Sequence, residues 1–494
     1  MDNILSHSRR AGFLGGLAVF FILLIIPAPE GLPEEAWKTA AVTILMGIWW
    51  ITEAIPISVT ALLPIVLFPT LGVTTISSAT TPYANPLIFL FMGGFIIAVA
   101  MEKWQLHRRI AISILNVVGV KPSSIIIGFI IASSFLSMWV SNTATAIMML
   151  PIAVSILDLV NSDDKKGKIN FEIVLILCIA YACNIGGMGT LIGTPPNALL
   201  AGFLIENYGI EISFLKWMMV GVPIMLISLP IMYFVLTKLI YPIKLQKLEG
   251  GKDLIKNQMA SLGNISSQEK KVAIVFISAA LLWIFRPLVG NIIPGLSDAG
   301  IAIFASVVLF MIPSGNHDSE GLLIWSDTKR LPWGVLILFG GGLSMASAIS
   351  NTGLASWIGN GIGGLSTWPI VLIIIIVIAL MIFLTEMTSN TASTAAFLPI
   401  LASVAIGLGQ NPLLLAIPIV FGASCAFMLP VATPPNAIVY GSGKITIPEM
   451  SKAGLWLNLI FIGILSLASL TLISWVFGVE IGVIPEWAQN TLSG

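Results

Sequence analysis

The sequence predicts an all-α membrane protein with about 11 transmembrane helices and two re-entrant hairpins, set in two inverted-topology repeats. Three observations predict it. Of 494 residues, 57% are hydrophobic and only 9% charged, and the mean hydropathy is +1.00; a soluble core of this size needs a far more polar coat. Apolar runs of about 20 residues, the length that spans a bilayer's hydrocarbon, recur along the chain. One set of polar, helix-breaking motifs is also written twice.

The first copy runs Phe91–Gly94, Ser141-Asn142-Thr143-Ala144-Thr145 and Thr194-Pro195-Pro196-Asn197-Ala198. The second runs Phe339–Gly342, Ser389-Asn390-Thr391-Ala392-Ser393-Thr394 and Thr433-Pro434-Pro435-Asn436-Ala437. The first two motifs are offset by 248 residues and the third by 239; the polar insert Ser162–Asn170 in the first half accounts for the shift.

Full crossings are read at about 11–28, 36–52, 56–72, 84–104, 171–206, 217–240, 271–287, 297–313, 333–351, 413–440 and 453–478. Arg9-Arg10 precede the first run as in a twin-arginine signal. No small-residue cleavage site follows and further spans do, so that run is read as a first transmembrane helix. Two more apolar stretches, 122–160 and 366–405, are too long for one crossing, and Ser-Asn-Thr interrupts each at its middle. A chain that enters, turns at a polar tip and leaves on the same side fits both. Such hairpins are tolerated at membrane depth only where buried in protein or lining a cavity.

Charge orients this map. With the N-terminus cytoplasmic, 20 of the 23 basic residues fall on the cytoplasmic side, and only Lys38, Lys216 and Arg286 fall outside. The C-terminus, with Glu480 and Glu486, is then extracytoplasmic. Five crossings separate the hairpins. An odd number inverts the second repeat, so the first hairpin enters from the cytoplasm, the second from outside, and the tips meet near the midplane. The polar connection 245–271 reads as a cytoplasmic linker between repeats at 36–240 and 271–478.

A chain that breaks its helices at four matching places in lipid must recover several kcal/mol per unsatisfied backbone group. Exposed carbonyls with Ser, Thr and Asn oxygens suit a hard cation such as Na⁺, and helix N-termini with hydroxyl and amide donors suit carboxylates or another oxyanion. One such motif reads equally well as a satisfied kink; two matched pairs read as a binding site with one half per repeat. No Lys or Arg stands near the breaks, so an anion's charge must be met by dipoles, amides, hydroxyls and co-bound cations. Glu386, three residues before Ser389, reads as a hydrogen-bonded structural carboxylate, with a cation or proton site as the alternative. Glu53 reads as a helix-end or packing element.

Other classes are poorly served. Zero net charge leaves no nucleic-acid footprint. Cys178, Cys183 and Cys425 lie in apolar runs and read as small core residues. His7, His107 and His317 are scattered, with no metal cluster. No triad spacing or P-loop appears, and titratable groups are nearly absent from the spans, so an enzyme is not expected.

The paired Ser-Asn-Thr motifs, each followed by Thr-Pro-Pro-Asn, together with Trp49-Trp50-Ile51-Thr52-Glu53-Ala54-Ile55-Pro56, resemble the divalent anion/sodium symporter family of INDY-type dicarboxylate transporters. The resemblance covers nearly the whole chain. It implies a homodimer in the plasma (inner) membrane, with a fixed scaffold domain (11–121 and 271–351) and a moving transport domain (122–240 and 366–478). It implies elevator-type, Na⁺-coupled uptake of di- or tricarboxylates of the succinate, malate or fumarate type. Dicarboxylate exchange or sulfate transport on the same scaffold is the alternative. By similarity, Ser141, Asn142, Thr143, Ser389, Asn390 and Thr391 hold the substrate, and Thr194, Pro195, Thr433 and Pro434 complete the pocket. One Na⁺ site uses Ser137, Ser141, Asn142 and Gly193; its twin uses Thr385, Thr388, Asn390 and Ala432.

Overall fold

The computed structural model describes residues 2–119, 121–158, 165–245, 251–315, 320–361 and 367–489. Residues 162–164 of the polar insert, 246–250 of the linker and His317 lie outside that set. Among the described residues the regular elements are helices, with one isolated β-bridge, Pro313 to Gly321. Among the described residues seven helices are long and apolar enough to cross a membrane, and shorter apolar helices such as Pro122–Ser137 and Ile370–Thr385 accompany them.

The broken stretches break where the motifs stand. Helices Pro122–Ser137 and Asn142–Leu157 flank the first Ser-Asn-Thr motif, and Ile370–Thr385 and Asn390–Gly407 flank the second. The region 171–206 is two helices, Lys165–Gly187 and Pro195–Tyr208, and 413–440 is likewise Leu413–Ala423 and Pro434–Gly441. In each case the Pro-Pro pair opens the second helix, where proline's missing N–H costs nothing.

The stretch 56–72 departs from expectation. It is not one crossing helix but two short ones, Ile57–Thr60 and Leu63–Thr70. Ala61 lies at the break. Its carbonyl accepts the Tyr83 hydroxyl, and Gly341 lets another helix press directly on it: a Cβ there would lie 2.2 Å from that oxygen. Helices outside the expected crossings also form, among them Leu106–Val118, Leu354–Gly361 and, inside the polar connection, Gly251–Ser261. The last packs on Leu106–Val118, with Arg108 donating to Gln258 at 3.0 Å. Arg109 also pairs with Glu269 at 2.7 Å and donates to the carbonyls of Leu262 and Gly263. Glu53 caps its helix in the left-handed conformation (φ 46°) and pairs with Arg9 at 3.3 Å, an end-of-helix role.

Packing follows the repeat. Lys165–Gly187 lies against Pro122–Ser137, as Leu413–Ala423 lies against Ile370–Thr385. Each Pro-Pro helix then packs on the other repeat's hairpin: Pro434–Gly441 on Asn142–Leu157, and Pro195–Tyr208 on Asn390–Gly407. This exchange joins the halves into one site-bearing unit. At its centre, 83% of the apolar window of Lys166–Gly187 is buried inside the protein, which suits a helix that meets other helices on every side.

Candidate functional site

Ser141 and Ser389 each cap the helix that follows. Their hydroxyl oxygens accept the N–H of Ala144 (3.2 Å) and of Ala392 (3.4 Å). The two helix N-termini, with their partial positive charge, therefore begin at the Ser-Asn-Thr tips. Thr143 and Thr391 sit half-buried in the first turns. Trp139 in the first tip packs edge to face on Phe276, with ring centroids 5.2 Å apart.

Four of the expected residues gather around Gly187. A Cβ at Gly187 would lie 2.9 Å from the amide oxygen of Asn142 and 3.0 Å from the carbonyl oxygen of Gly193. Ser137 donates its hydroxyl to that same Asn142 oxygen, and Ser141 is its neighbour in the chain. The oxygens of Asn142 and Gly193 thus converge on space that only glycine leaves open. Gly186 brings the two chains to this distance: a Cβ there would lie 2.3 Å from the carbonyl oxygen of Ser134.

The second repeat differs in detail. Ala426 stands where Gly187 stands. Thr385 donates its hydroxyl to the carbonyls of Met381 and Ile382, and Thr388 donates to Leu384 while sharing a 2.6 Å hydrogen bond with Ser393. Ala432 donates its N–H to Leu429 at 3.2 Å. The Asn390 amide oxygen is buried without a protein partner among the described residues. A buried, unpartnered carbonyl-type oxygen is the kind of group a hard cation takes as a ligand.

The fourth residue of the Thr-Pro-Pro-Asn motif holds each broken segment, a role the sequence reading did not assign. Asn197 donates to the carbonyls of Gly187 (3.1 Å) and Thr190 (2.7 Å). Asn436 donates to Ala426 and Leu429, both at 3.0 Å. These acceptors match at the offset of 239. Thr433 caps its helix by accepting the N–H of Asn436, while Thr194 is buried in extended conformation ahead of Pro195. The breaks differ in how their N–H groups are met. In the first, Met188 and Gly189 donate back to Ile185 and Gly186. In the second, the Glu386 carboxylate accepts the N–H groups of Phe427, Met428 and Leu429 at 2.8–3.0 Å and the Asn458 amide at 2.7 Å. Glu386 is thus a hydrogen-bonded carboxylate filling the place of missing backbone acceptors. Asn458 and Asn184, isolated polar residues within apolar runs, had no repeat to mark them.

A family model described as the sodium:sulfate symporter transmembrane region matches residues 7–479. The sodium-dependent dicarboxylate transporter SdcS of several Staphylococcus aureus strains is 44% identical over 485 residues, covering 96% of this chain and 93% of that protein. Two solved structures share the fold. The YdaH transporter of Alcanivorax borkumensis aligns with a TM-score of 0.55 at 14% identity, covering 90% of this chain and 99% of that one. MtrF of Neisseria gonorrhoeae, described with a class of antimetabolite efflux pumps, aligns at 0.57 and 13%, covering 91% and 96%. The chain is therefore a multi-pass membrane transporter, not an enzyme, and belongs to the divalent anion/sodium symporter family.

Proposed function

We propose that this protein couples Na⁺ entry to the uptake of di- or tricarboxylates of the succinate, malate or fumarate type. The observation that carries the reading is the convergence of the Asn142 and Gly193 oxygens at Gly187, repeated in outline by the second set of motifs. The segments 137–145, 184–198, 385–394 and 423–437 contain no Lys or Arg. A dianion bound there meets helix N-termini, amides and hydroxyls, and needs co-bound cations to balance its charge. The name of the Staphylococcus aureus relatives supports both halves of the reading.

In this reading Ser141, Asn142, Thr143, Ser389, Asn390 and Thr391 hold the carboxylates, and Thr194, Pro195, Thr433 and Pro434 close the pocket. Ser137, Ser141, Asn142 and Gly193 hold one Na⁺; Thr385, Thr388, Asn390 and Ala432 hold the other. The site-bearing segments 122–240 and 366–478 move as one body against a scaffold of 11–121 and 271–351, through which two copies dimerise. The N-terminus is cytoplasmic and the C-terminus extracytoplasmic. The ion pairs support this map. Arg9–Glu53, Lys38–Glu34, Lys103–Asp327, Arg109–Glu269, Arg286–Glu211, Arg286–Asp298 and Lys444–Glu172 each join segments that it assigns to one side.

The test is uptake of labelled succinate into proteoliposomes with an imposed Na⁺ gradient. Uptake that stops when choline or K⁺ replaces Na⁺ is expected. Unchanged net uptake in choline would sink symport. Exchange of internal for external succinate without Na⁺ would assign the protein as an exchanger, and transport of sulfate alone would reassign the substrate.

A further inference from the structure

Asn184 lies one turn before Gly187, at the end of helix Lys165–Gly187, and is 2% exposed. It belongs to the first repeat, yet its amide NH₂ donates into the second. The Nδ2 group donates to the Thr433 hydroxyl at 3.2 Å, the Asn436 amide oxygen at 3.4 Å and the Ala426 carbonyl at 3.5 Å. Those are the residues that fasten the second broken segment. One turn further on, the same helix end presents Gly187 to Asn142 and Gly193. One helix end, through Asn184 on one side and Gly187 on the other, therefore touches the supports of both half-sites.

The link runs one way. The position matched to Asn184 in the second repeat is Ala423, which has no donor to return. The consequence is visible in the paired asparagines. Asn436 Oδ1 has Asn184 as its partner, whereas Asn197 Oδ1 is buried without a protein partner among the described residues. In buried, apolar surroundings parting these groups leaves them unpaired, which is costly, so a shift of one partner draws the other with it.

We propose that Asn184 is a positioning residue that couples the two half-sites: cation binding at the Asn142–Gly193 side sets the helix end at Gly187, and Asn184 transmits that setting to Thr433 and Asn436. Occupancy of one site then raises the cation affinity of the other. The proposal rests on the Na⁺-coupled reading above and adds a cooperative link within it.

The experiment measures succinate uptake against Na⁺ concentration, in proteoliposomes, for the full chain and for Asn184→Ala. Asn184→Ser is run in parallel; it keeps a polar group that can bond within its own helix but shortens the side chain out of reach of Thr433. It decides the matter should the alanine variant not assemble. The wild type is expected to respond sigmoidally to Na⁺. In the variants the Hill coefficient falls toward one, and half-saturating Na⁺ rises roughly fivefold or more. The half-saturating succinate concentration at saturating Na⁺ stays within about twofold, since no substrate contact is removed. A variant with a lower maximal rate but an unchanged Na⁺ curve would make Asn184 merely structural and overturn the coupling. A wild type indifferent to Na⁺ would instead overturn the symport reading itself.

Discussion

Phe91 and Phe339, equivalent residues of the two repeats, pack edge to face with ring centroids 5.1 Å apart. Equivalent residues that touch lie on the pseudo-symmetry axis, so the axis passes between these rings. The glycines that follow divide the labour in matched fashion. A Cβ on Gly93 would lie 2.6–2.8 Å from Ala302, including its backbone, and one on Gly341 would lie 2.2 Å from the carbonyl oxygen of Ala61. The next glycines face the hairpins and broken segments: a Cβ on Gly94 would lie 3.3 Å from the side chain of Ile192, and one on Gly342 3.0 Å from that of Ala395.

A methyl group should therefore be costly at the first glycine of each pair and tolerated at the second. Backbone cannot yield as a side-chain tip can, and overpacking of this kind costs about 1–3 kcal/mol or more. Gly93→Ala and Gly341→Ala should lower the thermal unfolding midpoint in detergent and the yield of assembled protein. Gly94→Ala should assemble normally, since the nearest atoms, side-chain carbons of Ile192 at 3.3 Å, need give only a few tenths of an ångström. Equal midpoints for Gly93→Ala and Gly94→Ala would refute the division.

The repeat was legible because its motifs are the residues an apolar chain cannot place casually. Ser-Asn-Thr and Thr-Pro-Pro-Asn mark four helix starts, and the described helices begin there: Asn142, Pro195, Asn390 and Pro434. The break at Ala61 was not legible. It depends on the Tyr83 hydroxyl and on Gly341, 280 residues away, neither of which alters the apolar run at 56–72. Nor was the role of Asn184, since one asparagine in an apolar helix announces a partner without naming it. Glu386 stood out as a buried acid, but only the fold reveals that three consecutive N–H groups await it.

Asn142→Ala and Asn390→Ala should each impair uptake severely, because losing a hydrogen bond to a charged ligand costs about 1.5–3 kcal/mol, more than tenfold in affinity. Their effects on stability should differ. Asn142 Oδ1 accepts from Ser137, whereas Asn390 Oδ1 has no protein partner among the described residues. Removing Asn142 takes away the Ser137 hydroxyl's amide acceptor, so its thermal midpoint should fall; that of Asn390→Ala should hold near wild type. Near-normal uptake by either variant removes that tip from the site.

Glu386→Gln should destabilise the protein rather than retune its ions. The carboxylate receives N–H donors from Phe427, Met428, Leu429 and Asn458. A glutamine keeps one acceptor oxygen and turns an NH₂ toward the remaining donors, leaving buried N–H groups unpaired at about 1–3 kcal/mol each. The midpoint should drop whether or not Na⁺ is present. A variant of wild-type stability that needs more Na⁺ for half-maximal uptake would make Glu386 a cation ligand instead.

The moving-body proposal can be tested at one contact. Gly342 belongs to the proposed scaffold and Ala395 to the second hairpin, and a Cβ on Gly342 would lie 3.0 Å from that of Ala395. Disulfides need Cβ atoms about 3.5–4.5 Å apart, so a small outward adjustment suffices for Gly342→Cys paired with Ala395→Cys. If the hairpins slide as one body past a fixed scaffold, this bond should arrest uptake, because the two residues cannot stay in contact through the stroke. Reduction should restore it, and either single cysteine should leave the protein insensitive to oxidant. The decisive measurement is uptake by protein whose cross-linking is verified by mass spectrometry. A fully cross-linked transporter that carries succinate at the uncross-linked rate would mean that these two segments travel together, and the boundary between moving and fixed parts would lie elsewhere.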